Sequence, residues 1–212
     1  SHEFKTPLSV IQNYATMIQE PGLDEEQRQE YAKILCDTSK NLSELVSNIL
    51  KLNKLENQQI FPEKKPYNLS EQLCECMLVY EAQFEKKNID IKLDLDEDLI
   101  IKADYDLLLH VWNNLFSNAI KFNREGGKIE LTLEKQGRFA VVKVKDTGCG
   151  MTRETSEHIF EKFYQGDTSR STQGNGLGLA LVKRVIDITG GDIQVQSEVG
   201  TGTEFIVFLP MQ

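Results

Sequence analysis

Ser1-His2-Glu3-Phe4-Lys5-Thr6-Pro7-Leu8 opens a run in which apolar side chains return at steps of four and three: Phe4, Leu8, Ile11, Ala15 and Ile18. That spacing is the seam of a helix that lies along another helix. Glu20-Pro21-Gly22 interrupts it, and Asp24-Glu25-Glu26 puts acidic groups at the positive end of a second helix. The seam then resumes through Tyr31, Leu35, Thr38, Leu42, Leu45, Ile49 and Leu52. The two segments predict an antiparallel helical hairpin. Val10, Tyr14 and Met17 widen the apolar face of the first helix; Ile34, Val46 and Leu50 widen that of the second. One hairpin cannot cover faces so wide, so a second copy is expected, giving a homodimer with a four-helix bundle. The alternative is a hairpin folded onto the rest of its own chain.

With Phe4 on the seam, His2, Glu3 and Thr6 fall off the buried stripe. His2 and Thr6 are four apart and share an exposed helix face. Pro7 has no N–H for the carbonyl of Glu3, so a bend is expected there. An imidazole beside a carboxylate and a hydroxyl suits a reactive site. It also describes a solvated helix start, or a histidine left from a tag.

The chain has 212 residues, 40% hydrophobic and 27% charged, a balance that excludes wholesale disorder. No apolar run is long enough to span a bilayer, and no signal peptide opens the chain. A net charge of −9 without a segregated basic patch excludes nonspecific nucleic-acid binding. Cys36, Cys74, Cys76 and Cys149 form no metal-binding spacing and read as reduced thiols of a cytosolic protein.

Residues 58–66, with two prolines, read as a linker between a hairpin domain, 1–57, and a second domain, 67–212. In the second domain the pattern predicts a short strand at Tyr67–Leu69, then a helix capped by Ser70 and running to about Lys87. Strands follow at Ile89–Leu95 and Ile100–Lys102, and a long helix from Asp104 to Phe122. A hairpin joins Lys128–Lys135 to Phe139–Lys145. A helix runs from Leu177 to Thr189, and the last strands are Ile193–Glu198 and Thr203–Leu209. The expected fold class is α + α/β, with one mixed sheet carrying helices on one face.

Four stretches of this domain carry chemistry. Asn114, Asn118 and Lys121 share a face of the long helix, where amides and an ammonium could hold hydrated Mg²⁺ and phosphates; the plain alternative is a solvent face. Asp146-Thr-Gly148-Cys-Gly150-Met151 follows a strand. There a carboxylate could accept from an exocyclic amine such as that of adenine, and glycines let backbone approach a ligand; an ordinary glycine turn is the alternative. Gly174-Asn-Gly176-Leu177-Gly178 runs into a helix N-terminus, a phosphate cradle that matches neither the Rossmann nor the P-loop spacing. Thr152–Gln173 between them reads as a mobile lid, held down by the aromatic cluster Ile159–Tyr164, Phe160 included. Gly200-Thr-Gly202-Thr203 is a turn at the same sheet edge.

Taken in order, these stretches resemble the catalytic core of the sensor histidine kinases of two-component signalling. Residues 1–8 resemble the H box, Asn114–Phe122 the N box, Asp146–Gly150 the G1 box, Ile159–Tyr164 the F box, Gly174–Gly178 the G2 box and Gly200–Thr203 the last glycine box. The resemblance implies a dimerisation and phosphotransfer hairpin, followed by a Bergerat-type ATP-binding sandwich like that of gyrase and Hsp90. It implies ATP and Mg²⁺ as cofactors, autophosphorylation of His2, transfer to an aspartate of a cognate response-regulator receiver domain, and dephosphorylation of that regulator. By position, His2 would take the γ-phosphate, and Glu3 would orient the imidazole or accept its proton. Thr6 would position water for the phosphatase step. Asn118 would bind the metal with Asn114 alongside, and Lys121 would face phosphate. Asp146 would read the adenine amine. Phe122, Gly148, Gly150, Met151, Phe160, Gly174, Gly176, Leu177, Gly178 and Thr203 would complete the nucleotide site.

Phe122 departs from the tyrosine frequent in the family, and His110 from a frequent glutamine; His110 reads as structural. Asn114 stands where related ATPases carry a water-activating glutamate, which disfavours plain hydrolysis. A non-catalytic scaffold is disfavoured by the presence of Asn118, Asp146 and the glycines. So short a segment before His2 implies that the start of the first helix, and any sensor and membrane segments, lie outside this chain. The expectation is the cytoplasmic portion of a membrane-bound receptor.

Overall fold

The computed structural model describes residues 2–57, 62–166 and 174–211, and of His2 the main chain alone. Helix α1, His2–Met17, continues through Pro7, and α2, Glu25–Glu56, returns beside it. Asp24 starts α2 with a capping box: its carboxylate accepts from the Gln27 N–H at 2.7 Å, and the Gln27 side chain reaches back to the Asp24 N–H. Tyr14 meets Tyr31 edge-on, with ring centroids 5.3 Å apart, and fixes the register of the hairpin.

The second domain begins with β1, Lys65–Asn68, and α3, Leu69–Leu78. The cap of α3 is Asn68 rather than Ser70, because the Asn68 side chain reaches the N–H groups of both Ser70 and Glu71. The helix expected to run to Lys87 breaks at Val79–Tyr80. There a β-branched and an aromatic residue disfavour the helix, and the Tyr80 hydroxyl donates to the Asn113 side chain at 3.1 Å. The short α4, Glu81–Lys86, follows. Then come β2, Asp90–Leu95; β3, Ile100–Ala103; α5, Tyr105–Lys121; β4, Lys128–Gln136; and β5, Phe139–Asp146. The chain continues with α6, Arg153–His158; α7, Gly178–Thr189; β6, Asp192–Glu198; and β7, Gly202–Pro210.

The expectation of a single mixed sheet is corrected. Five strands pair in the order β2-β4-β5-β7-β6, with β2 parallel to β4 and the rest antiparallel. β1 and β3 form a separate antiparallel ribbon. Pro66 in β1 has no N–H to donate, which suits a two-stranded ribbon better than a sheet interior. One face of the large sheet presents Ile129, Leu131, Leu133, Val142, Val144, Phe205 and Val207 to the core under α5 and α7. On β4 and β5, Glu130, Glu134 and Lys143 alternate with these residues, and Glu134 pairs with Lys143 at 2.6 Å. The result is the expected α/β sandwich.

Of the two coverings expected for the hairpin stripe, packing on the rest of the same chain has a counterpart. Leu45, Leu52 and Leu55 of α2 join the buried cluster of the second domain. Arg184 of α7 donates to the Leu55 carbonyl at 2.9 Å, and Lys162 pairs with Glu56 at 2.6 Å. Leu8, Val46 and Leu50, by contrast, are 47%, 41% and 55% exposed. The cysteines described are free thiols. Among the described residues no helix is long and apolar enough to cross a membrane.

Candidate functional site

α5 sets the axis of the site. Leu108, Val111, Trp112, Leu115, Phe116 and Ala119 are buried. The remaining face carries His110, Asn114, Asn118 and Lys121 at helical spacing. Asp104 caps the helix through the Leu107 N–H. At the other end Lys87 Nζ donates to the carbonyls of Ile120, Lys121 and Asn123 at 2.8, 3.2 and 3.3 Å. A cation at the C-terminal end of a helix satisfies carbonyls that have no partner in the helix and complements the dipole.

Over this face lies a cavity of about 270 Å³. Asn114, Asn118, Lys121, Phe122, Asp146, Gly150, Met151, Gly174, Gly176, Gly178 and Thr203 all line it. Residues from four separate stretches of sequence thus meet on one surface. Gly148 sits behind Asp146, against the Phe122 carbonyl, where a Cβ has no room. Two further expected residues also stand back. Phe160 packs edge-on against Phe205, with centroids 6.5 Å apart, while its neighbour Ile159 faces the cavity. Leu177 is buried beneath α7, its N–H donating to Asn175 Oδ1. The hairpin residues are set apart: Glu3 and Thr6 are exposed on α1, and the His2 side chain lies outside the described residues.

The cavity has two chemically different ends. At one, Asp146 closes β5, only 6% exposed. Its carboxylate accepts from the Gly148 N–H at 2.8 Å. Burial nevertheless pushes its pKa up from 3.8 to about 6, against the lowering pull of the Gly148 and Thr203 N–H groups. Thr203 is buried beside it and shares a 2.9 Å hydrogen bond with Ser197, whose hydroxyl also accepts from the Met151 N–H. A buried carboxylate raised this far gains from any further N–H donor. At the other end, Asn114 donates to the His110 carbonyl and its Oδ1 abuts Gly178, the first residue of α7. The N-terminus of α7 has no side-chain cap. Its first N–H groups and the helix dipole therefore favour an anion. Lys121 lies between the ends, its pKa lowered by burial and its ammonium 4.7 Å from the Phe122 ring centroid.

These residues fit a nucleotide. The acid end suits an amine-bearing base; the amide, ammonium and helix N-terminus suit phosphates. The Asn118 carboxamide has no hydrogen-bond partner among the described residues and could hold a cation through oxygen. No group of three or more His, Cys, Asp or Glu able to hold a metal occurs among the described residues. A cation here would rely on phosphate oxygens, amide oxygen and water, the ligand set Mg²⁺ prefers.

Three features depend on contacts that no local sequence pattern marks. Glu44 and Asn48 of α2 line the cavity; as polar positions beside a heptad seam they look like solvent-facing residues. The stretch expected to form a lid contains α6, started by Thr152, whose hydroxyl accepts from the Thr155 N–H. Its Ser/Thr content resembles a loop, and 167–173 of it lie outside the described residues. His110, read as structural, contacts Lys51 of α2 at 3.2 Å between Nε2 and Nζ, and burial and the lysine charge lower its pKa.

Comparison with known proteins agrees with this geometry. Residues 103–212 match the model of the histidine kinase-, DNA gyrase B- and HSP90-like ATPases, and residues 1–58 that of the His kinase A phospho-acceptor domain. The chain is 35% identical, over its whole length, to the circadian input-output histidine kinase CikA of Synechococcus elongatus, covering 29% of that protein. It is 30% identical to the sensor histidine kinase YclK of Bacillus subtilis, again over its whole length and covering 45% of that protein. The chain thus spans less than half the length of these relatives. Among solved structures, histidine kinase ThkA, in a complex with the response regulator protein TrrA, aligns over the whole chain. The TM-score is 0.82 at 28% identity, covering 59% of the ThkA chain.

Proposed function

The chain belongs to the sensor histidine kinases, and on that premise we propose that it is an ATP-dependent protein-histidine kinase core that phosphorylates itself on His2 and passes the phosphoryl group to an aspartate of a response regulator. The observation that carries this reading is the two-ended cavity. A buried carboxylate lies at one end, and Asn114, Asn118 and an uncapped helix N-terminus lie at the other.

In this reading Asp146 accepts from the exocyclic amine of adenine, and Thr203 and Met151 shape the base pocket. Lys121 and the N–H groups at Gly178 receive phosphate oxygens. Asn118 holds Mg²⁺, which, when bound, neutralises charge on the phosphates. Asn114 is held by the His110 carbonyl and faces Gly178. A carboxamide has no basic site, so nothing at position 114 activates water, and a phosphate donor without a base needs an acceptor. His2 serves as that acceptor, with Glu3 beside it to orient the imidazole or take its proton. Thr6, on the exposed face of α1, positions water when a phosphorylated regulator is bound.

The partners follow from the same reading. The exposed Leu8, Val46 and Leu50 support a homodimer through the hairpin. A response-regulator receiver domain docks around His2, supported by the ThkA–TrrA complex. The core works on the cytoplasmic side of a membrane-bound sensor, with any membrane segment outside the described helices. The His2→Gln variant tests the reading: it should take no label from γ-labelled ATP and still bind ATP normally. Undiminished labelling would refute it.

A further inference from the structure

We propose that α2 completes the phosphate end of the nucleotide cavity with Asn48, and that phosphoryl transfer to His2 runs within one chain. The inference rests on the nucleotide-kinase reading above.

Glu44, Asn48, Lys51 and Leu55 recur at helical spacing on one stripe of α2. The lower part of the stripe is anchored. The Leu55 carbonyl accepts from Arg184 of α7, and Lys51 meets His110 of α5. The upper part lies over the cavity, which Glu44 and Asn48 line. Asn113 and Asn114 lie one turn along α5 from His110. The hairpin residues thus overlie the Asn114–Gly178 end. Asp146 and Gly148 lie beyond Phe122, at the far end, about 12 Å farther along α5 at 1.5 Å per residue. Asn48 is half-buried and has no hydrogen-bond partner among the described residues, so its N–H donors can meet phosphate oxygens.

The register of the hairpin brings the acceptor to the same end. Tyr14 stands opposite Tyr31. Followed back along α1 and forward along antiparallel α2, the turn of His2 lies level with that of Ser43 and Glu44. Phe4 and Leu42 both pack on the cluster shared with the second domain. The chain's own α1 therefore begins beside its own phosphate end. In the transfer, a ring nitrogen of His2 bonds to the γ-phosphorus as the bond from that phosphorus to the β,γ-bridging oxygen breaks. ADP leaves with the electron pair, and the imidazole proton passes to Glu3.

Asn48→Asp keeps the shape and replaces the donor with a charge repelled by phosphate. Binding of a non-hydrolysable ATP analogue with Mg²⁺ should weaken about tenfold or more, as expected for losing a hydrogen bond to a charged group. AMP binding and the thermal midpoint should stay at parental values. Unchanged analogue binding, or an equal loss for AMP, overturns the assignment of Asn48. Transfer within one chain is tested by mixing differently tagged His2→Gln and Asn118→Asp chains, and isolating mixed dimers through both tags. No label should appear, whereas either variant paired with the parent should leave the parental chain labelled. Label on His2 of the Asn118→Asp chain overturns the inference. If no mixed dimer forms, the parental rate per chain must be unchanged on dilution, and a rate that rises with concentration overturns the inference. A parental chain that takes no label defeats the kinase reading itself, a distinct result.

Discussion

Replacing Asp146 with Asn removes the charge at the base end of the cavity and keeps an oxygen to accept from the Gly148 N–H. In the parent, burial raises this carboxyl from 3.8 to about 6. A folded-state pKa above the unfolded value means that the folded chain binds the proton more tightly. The associated stabilisation is therefore fully present below pH 3.8 and is lost as pH rises through about 6. Two units at about 1.4 kcal/mol each make the ionised carboxylate cost the ligand-free fold about 3 kcal/mol at neutral pH. Asp146→Asn should accordingly stabilise the ligand-free chain at pH 7.5 by up to about 3 kcal/mol, a rise of about 2–4 °C in thermal midpoint per kcal/mol at this size. The advantage should shrink steadily between pH 6 and pH 4. The same change should weaken ATP binding at least tenfold, because the amide presents its own donors to the adenine amine. Urea unfolding across this pH range, with calorimetric titration of a non-hydrolysable analogue, measures both effects. A variant less stable than the parent at pH 7.5, or one that binds ATP equally well, would rule out this role for Asp146.

Other perturbations follow from the same geometry. Lys87→Met removes the ammonium from three carbonyls at the end of α5; urea unfolding should show a loss of about 2 kcal/mol, and nucleotide affinity should fall with it as Lys121 and Phe122 lose their anchor. Gly150 has φ +65° and backs onto the Glu198 carbonyl. Gly150→Ala should therefore cost at least about 2 kcal/mol in the same assay and abolish nucleotide binding. Thr6→Ala should keep autophosphorylation while losing dephosphorylation of the regulator, read by following phosphate on each protein; equal loss of both would make Thr6 structural.

Much of this was legible in the sequence because local periodicity and long-range packing agree. The heptad steps from Phe4 to Leu52 predict the hairpin, and the alternation in 128–145 predicts two strands joined in a β-hairpin. The face shared by Asn114, Asn118 and Lys121 was likewise visible from helical spacing alone. What remained hidden depends on tertiary contacts. Nothing local marks Glu44 and Asn48 as cavity residues, because a polar position beside a seam reads as solvent until another domain closes over it. The break before α4 depends on Tyr80 reaching Asn113, 33 residues away. The pairing of β1 with β3 apart from the main sheet is equally invisible to a period-two pattern, which reports alternation and not partners. Phe160 carries the aromatic signal of its segment, yet its neighbour Ile159 faces the cavity.

In the proposed function the cavity holds ATP and delivers its terminal phosphate to one histidine on α1. Fragmentation mass spectrometry of the chain after incubation with ATP and Mg²⁺, handled without acid, locates the phosphate directly. A single acid-labile, base-stable phosphoryl group on His2 is expected. An acid-stable phosphate on serine or threonine, or phosphate on His110 or His158 in place of His2, would contradict it.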